Sequence, residues 1–99
     1  MSLTRVDVVR ELIRLRAGSA VFGDDPGWTV AIGEAARPDV GSLGRAAAAL
    51  APIYRATYGN GAPEAGPERA AMVLLDRAQR AADLGALPPG PALLETAAE

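Results

Sequence analysis

Residues 40–59 read VGSLGRAAAALAPIYRATYG. Asp39, just ahead, can accept a hydrogen bond from the free N–H groups of a first helical turn, and Gly59 can take the left-handed conformation that closes a helix. Between them Leu43, Ala47, Leu50, Tyr54 and Tyr58 recur every three or four residues. A helix therefore gathers them into one apolar stripe, with Ala46, Ile53 and Thr57 beside it. Arg45 and Arg55 fall off that seam. The alanine run 46–49 offers a smooth face that lets a neighbouring helix approach closely, and it is where a partner or a second copy is expected to pack. Pro52 has no N–H for the carbonyl of Ala48 and crowds it, at roughly 3 kcal/mol in a helix interior, so a kink or break is expected near Ala51.

Working outward, the composition favours helices throughout. Of 99 residues 22 are alanine, whereas Phe, Trp and Tyr together number four, so the core must be thin and built by close backbone approach. A chain of this size buries about 60–70 % of the surface its unfolded form exposes, which suits one domain and a modest core. The expected class is all-α, a small antiparallel helical bundle of three main helices plus one or two short ones. Residues 1–87 are expected to form it, with 88–99 as a Pro/Gly spacer and short tail. Glycines and prolines cluster between the periodic stretches, where they punctuate.

All ten basic residues are Arg; Lys, His and Cys are absent. That removes imidazole and thiolate zinc ligands, Cys or His nucleophiles and disulfides, and nothing else in the sequence calls for a cofactor or a metal. The net charge of −2 is a poor match for nucleic acid, which demands a strongly basic face. Arg5, Arg10, Arg14 and Arg16 concentrate in the first helix, and a nucleic-acid regulator would have to use them. Their simpler reading is a solvated polar face. No charge-free stretch approaches the about 20 residues needed to cross a bilayer, and the start lacks the pattern of a signal peptide, so the expected address is the cytoplasm.

Asp7 stands three residues after Thr4, a loose capping-box spacing, and Ser2 or Thr4 can cap a first helix running to about Ala17, which Gly18 closes. Its apolar residues fall into two stripes, Leu3, Val6, Val9 and Ile13, and Val8, Leu12 and Leu15, predicting a broad buried face. Val21 and Phe22 are the apolar residues of the connector, with Phe22 expected to plug one end of the core. Asp24 or Asp25 before Pro26 reads as the cap of a second helix over 26–37, with Trp28 and Ile32 on one face. The rival reading of 28–32 as a β-strand finds no second strand to pair with. After the loop 59–66, Pro67 opens a helix over 67–84. Ala71, Leu74, Leu75, Ala78 and Ala82 are expected inward, Glu68, Arg69, Asp76, Arg77, Arg80 and Asp83 outward. Glu64 and Glu68 sit near its positive end, Gly85 stops it, and Leu87 is expected to fold back. In 92–98 Leu93 and Leu94 are the anchors of a short stretch.

Two constellations invite a functional reading. Tyr54, Arg55 and Tyr58 place two aromatics one turn apart with a guanidinium between them, and with Trp28 they form the candidate partner-binding set; their structural alternative is the end of the apolar stripe. Asp24, Asp25, Trp28 and Arg55 are what a small ligand-binding protein or enzyme would use. Adjacent acids in a loop nevertheless lack the separation that glycoside cleavage requires, and the spaced oxygen ligands of an EF-hand. Glu34 is expected in solvent.

Arg55-Ala56-Thr57-Tyr58-Gly59 resembles the helical C-terminal domain of bacterial membrane-anchored transglutaminase-like proteins, where a helix ends in Arg-Ala-x-Tyr-Gly before a loop and another Ala/Arg-rich helix. The similarity extends in element order over about residues 27–82, with Pro26-Gly27-Trp28-Thr29 where that family has a Pro/Gly-led start to its middle helix. The resemblance implies a non-catalytic cytoplasmic module, because that family's nucleophile lies in another domain. Together these readings predict a module that binds a protein partner or itself, with no catalytic residue, no cofactor and no direct membrane span.

Overall fold

The computed structural model describes residues 4–19, 22–37, 39, 41–59 and 66–85. Most of them lie in four helices, α1 (Arg5–Ala17), α2 (Pro26–Ala35), α3 (Ser42–Tyr58) and α4 (Pro67–Asp83). No strand occurs among the described residues, and 28–32 is helical. The expectations for Ser2, Leu3, Val21, the loop 60–65 and the segment from 86 onward, with its boundary at 87, spacer and tail, lie outside the described residues.

Local chemistry accounts for most of the helix starts. Thr4 Oγ1 accepts from the Asp7 N–H at 3.1 Å while Asp7 accepts from the Thr4 N–H at 3.0 Å, completing the capping box of α1. Asp25 caps α2 by accepting from the Gly27 N–H at 2.8 Å, and Pro26 and Pro67 occupy first-turn positions that need no donor. Asp39, by contrast, does not cap α3. The helix starts at Ser42 behind Gly41, with no side-chain cap, and the Asp39 carboxylate instead accepts from Arg45 Nη2 at 2.6 and 2.7 Å. This charge-assisted hydrogen bond, with a smaller contribution from the Gly41 backbone N–H, holds the Asp39 carboxyl below its ordinary range.

The helix ends also differ from expectation. Gly59 stays right-handed at φ −64°, its N–H bonded to the Arg55 carbonyl at 2.7 Å. The left-handed glycine is Gly85, at φ 71°, just past α4. α3 also runs unbroken through Pro52. Pro52 and Ala48 are both exposed, so water can serve the carbonyl the proline leaves unbonded.

α1 packs on α2, α2 on α3, α3 on α4, and α4 back on α1, closing a ring. The contacts between α2 and α3, α3 and α4, and α1 and α4 join opposite ends. Gly27 meets Ala49 and Ile53 while Glu34 meets Arg45; Tyr58 meets Glu68; Ser19, just beyond α1, meets Glu68 as well. The bundle is therefore antiparallel. Its core is Val8, Val9, Leu12 and Leu15 of α1, Trp28 of α2, Leu43, Leu50 and Ile53 of α3 and Leu75 of α4, with alanines filling the close approaches. Phe22 packs against it, half-buried. The buried face of α1 is narrower than predicted, for Ile13 is 50 % exposed and Val6 half-buried.

The alanine run does receive a helix, and that helix is α2. A Cβ on Gly27 would lie 2.8 Å from both the Ala49 carbonyl oxygen and Ile53 Cδ1. Glycine is what lets the two backbones come this close. The face is thus partly covered inside the chain, with Ala46 buried and Ala48 exposed.

Two charged residues expected in solvent lie in the interior. Arg5 donates from Nη1 to Ser42 Oγ at 2.8 Å and from Nη2 to the Asp39 carbonyl at 3.2 Å, tying the start of α1 to the turn before α3. Burial pushes its guanidinium down from the ordinary arginine range. Glu68, read as outward, is 7 % exposed. Both follow from phase: Arg5 precedes Val8, Val9 and Leu12 by three, four and seven positions, and Glu68 precedes Ala71 and Leu75 by three and seven.

Candidate functional site

Two hollows lie along the seam where α4 meets the rest of the bundle. The first, of about 470 Å³, opens where the ends of α1 and α3 meet the start of α4; Phe22, Ala56, Thr57 and Pro67 wall it beside Ser19 and Glu68. Glu68 Oε2 accepts from Ser19 Oγ at 2.5 Å and Oε1 from the Tyr58 hydroxyl at 3.3 Å. Tyr58 reaches it across Gly66, where a Cβ would come within 2.6 Å of the phenol oxygen. Burial, then the neighbouring Glu68 charge, pushes the Tyr58 phenol up, so it remains a donor at neutral pH.

The second is a groove of about 370 Å³ between α1 and α4, lined by Glu11, Leu15, Ala70, Val73, Leu74 and Arg77. Its α4 residues Ala70, Leu74 and Arg77 begin an alternation of four and three that Ala81 and, just past the helix, Leu84 continue, the spacing of a coiled-coil seam. Val73 is 40 % and Leu84 84 % exposed. Glu11 makes an exposed ion pair with Arg14, one turn away. Arg77 has no ion pair among the described residues.

The structure separates the four residues of the candidate partner-binding set. Trp28 is 0 % exposed at the centre of the bundle, and its indole N–H has no acceptor among the described residues; it presents nothing to a partner. Tyr58 is buried against Glu68, its ring packed edge-on to Tyr54 with centroids 5.1 Å apart. Tyr54 is half-buried and its hydroxyl accepts from Arg69 Nη1 at 3.4 Å; Arg55 is exposed. Only Tyr54 and Arg55 keep a surface.

The other sets disperse. Asp25 is used as a cap and Asp24 is exposed, while Trp28 lies inside, so these residues do not meet around a common pocket. Glu34 is half-buried rather than fully solvated, paired with Arg45 at 2.6 Å and Arg37 at 3.7 Å. Of the four arginines of α1, Arg5 is buried, Arg14 is paired with Glu11 and Arg16 donates to the Gly23 carbonyl at 2.8 Å, leaving Arg10. Among the described residues no acidic group has the makings of a metal site and no helix is long and apolar enough to cross a membrane.

No family model, curated protein or solved structure matches the chain. Neither hollow was foreseen from the sequence. The signals were there in an acid standing on the inward phase of α4 and in the heptad-spaced stripe 70, 74, 77, 81, 84 running beside the inward one.

Proposed function

We propose that this chain is a non-catalytic interaction module of the cytoplasm that assembles with a second copy of itself through the α1–α4 groove. The observation that carries this reading is the half-open apolar stripe of α4, rimmed on one side by Glu11 and on the other by Arg77. In a two-fold interface each residue meets its counterpart reciprocally. A groove with an acid on one wall and an unpaired base on the other is therefore complementary to its own copy, as Arg77 of each copy reaches Glu11 of the other. The exposed Glu11 and Arg14 pair is weak competition. The transglutaminase-like resemblance at 55–59 points to the same non-catalytic role.

Charge reversal tests it. In sedimentation equilibrium Arg77→Glu should shift the chain toward monomer, and the double variant Glu11→Arg with Arg77→Glu should restore association. Equal masses for all three proteins would refute the groove as the interface.

A further inference from the structure

We propose that the hollow at the junction of α1, α3 and α4 is a binding site for an alkylammonium group, held by the Glu68 carboxylate against the ring of Phe22. It shares no lining residue with the α1–α4 groove, so it stands or falls separately from the self-association reading.

Glu68 is withdrawn from water, yet it has no cationic side chain to face. The chain has no Lys or His, all ten arginines are among the described residues, and none forms an ion pair with Glu68. A buried charge is ordinarily paired, because desolvation without a counter-ion is costly. The first turn of α4 supplies part of the compensation, equivalent to roughly half a positive charge. The Ser19 and Tyr58 hydroxyls supply two hydrogen bonds. A carboxylate offers about four acceptor positions, so capacity remains for further donors.

What surrounds that capacity narrows the ligand. The carboxylate borders an open hollow of about 470 Å³ whose walls are largely apolar, which suits a short alkyl stem. Phe22 adds an aromatic side chain to the lining, and a ring that turns its face to the hollow attracts a cation. Thr57 Oγ1 spends its proton on the Ile53 carbonyl at 2.8 Å and can only accept, so beside Glu68 the lining offers acceptors to a ligand rich in N–H donors. An ammonium on a chain of a few carbons satisfies every wall: charge on carboxylate and ring, methylenes on Pro67 and Ala56. A free amine and a lysine side chain present this same group.

The test is a titration followed by amide NMR at constant ionic strength. The probes are n-butylammonium, n-butanol and the capped peptide acetyl-Gly-Lys-Gly-amide. The site predicts saturable shifts at Gly18, Ser19 and Glu68 with butylammonium or the peptide, and none of comparable size with butanol. The stronger of the two binders identifies the source, free amine or side chain. Glu68→Gln, which keeps the shape, should weaken binding about tenfold or more, as loss of a charge-assisted contact does. Phe22→Leu should weaken it less. Absence of saturable shifts with both cations, equal shifts with butanol, or undiminished binding by a folded Glu68→Gln protein would overturn the proposal.

Discussion

α3 and α4 are both 17 residues long and each carries apolar residues beyond its innermost stripe, but they are covered differently. On α3 the extra residues are alanines, and α2 closes on them so tightly that Gly27 has no room for a methyl group. On α4 they include Val73 and Leu74, which line the groove beside α1 and stay half open. Small side chains let a helix use up its own face within the monomer. Larger ones leave surface for another chain. The assignment of the α1–α4 seam to assembly rests on that contrast.

The covered side can be broken first. Arg5→Ala should have the largest effect, about 2–4 kcal/mol of stability in urea unfolding, because it removes charge-assisted bonds and leaves the Asp39 carbonyl and Ser42 without the donor that spans the bundle. Gly27→Ala should cost about 1–3 kcal/mol, since the methyl meets the Ala49 backbone and an Ile53 methyl at 2.8 Å. A stability change near zero for Gly27→Ala would mean that α2 does not seat on α3 as described.

The tyrosine end sharpens the comparison through pH. The Tyr58 phenol is pushed above its ordinary value near 10. A group whose pKa is raised on folding gives stability that is complete below the unfolded value and lost as pH rises through the folded one. The melting temperature should thus fall above about pH 10, and Tyr58→Phe should flatten that fall more than Tyr54→Phe does. Equal curves would remove the burial of Tyr58 from the account. The open side predicts the smallest effect on folding: Val73→Asp should leave stability within about 0.5 kcal/mol of the parent while abolishing association. A large loss of stability would place Val73 in the core instead.

Much of this was legible from periodicity and caps. The helix starts at Thr4, Asp25 and Pro67, the helical state of 28–32 and the close approach at 46–49 follow from side-chain chemistry within a few residues. The failures share one cause, namely that partners distant in sequence decide them. Asp39 is drawn to Arg45; charge alone points Arg5 and Glu68 to solvent, although each lies on its helix's inward stripe. The docking cluster of aromatic residues and arginine dissolved for a related reason. In a chain with four aromatic residues, Trp28 and Tyr58 are needed inside, and burial takes them from the surface. The hollow beside Glu68 joins α1, α3 and α4 across 49 positions between Ser19 and Glu68, a juxtaposition that only the closed ring creates.

The most direct measurement is sedimentation velocity of the unmodified chain over a wide concentration range. Association through the open α4 stripe predicts a mass that rises from 10.1 kDa toward twice that value and stays at the lower value for Val73→Asp. A mass of 10.1 kDa at every concentration, or a dimer that Val73→Asp leaves intact, would contradict it.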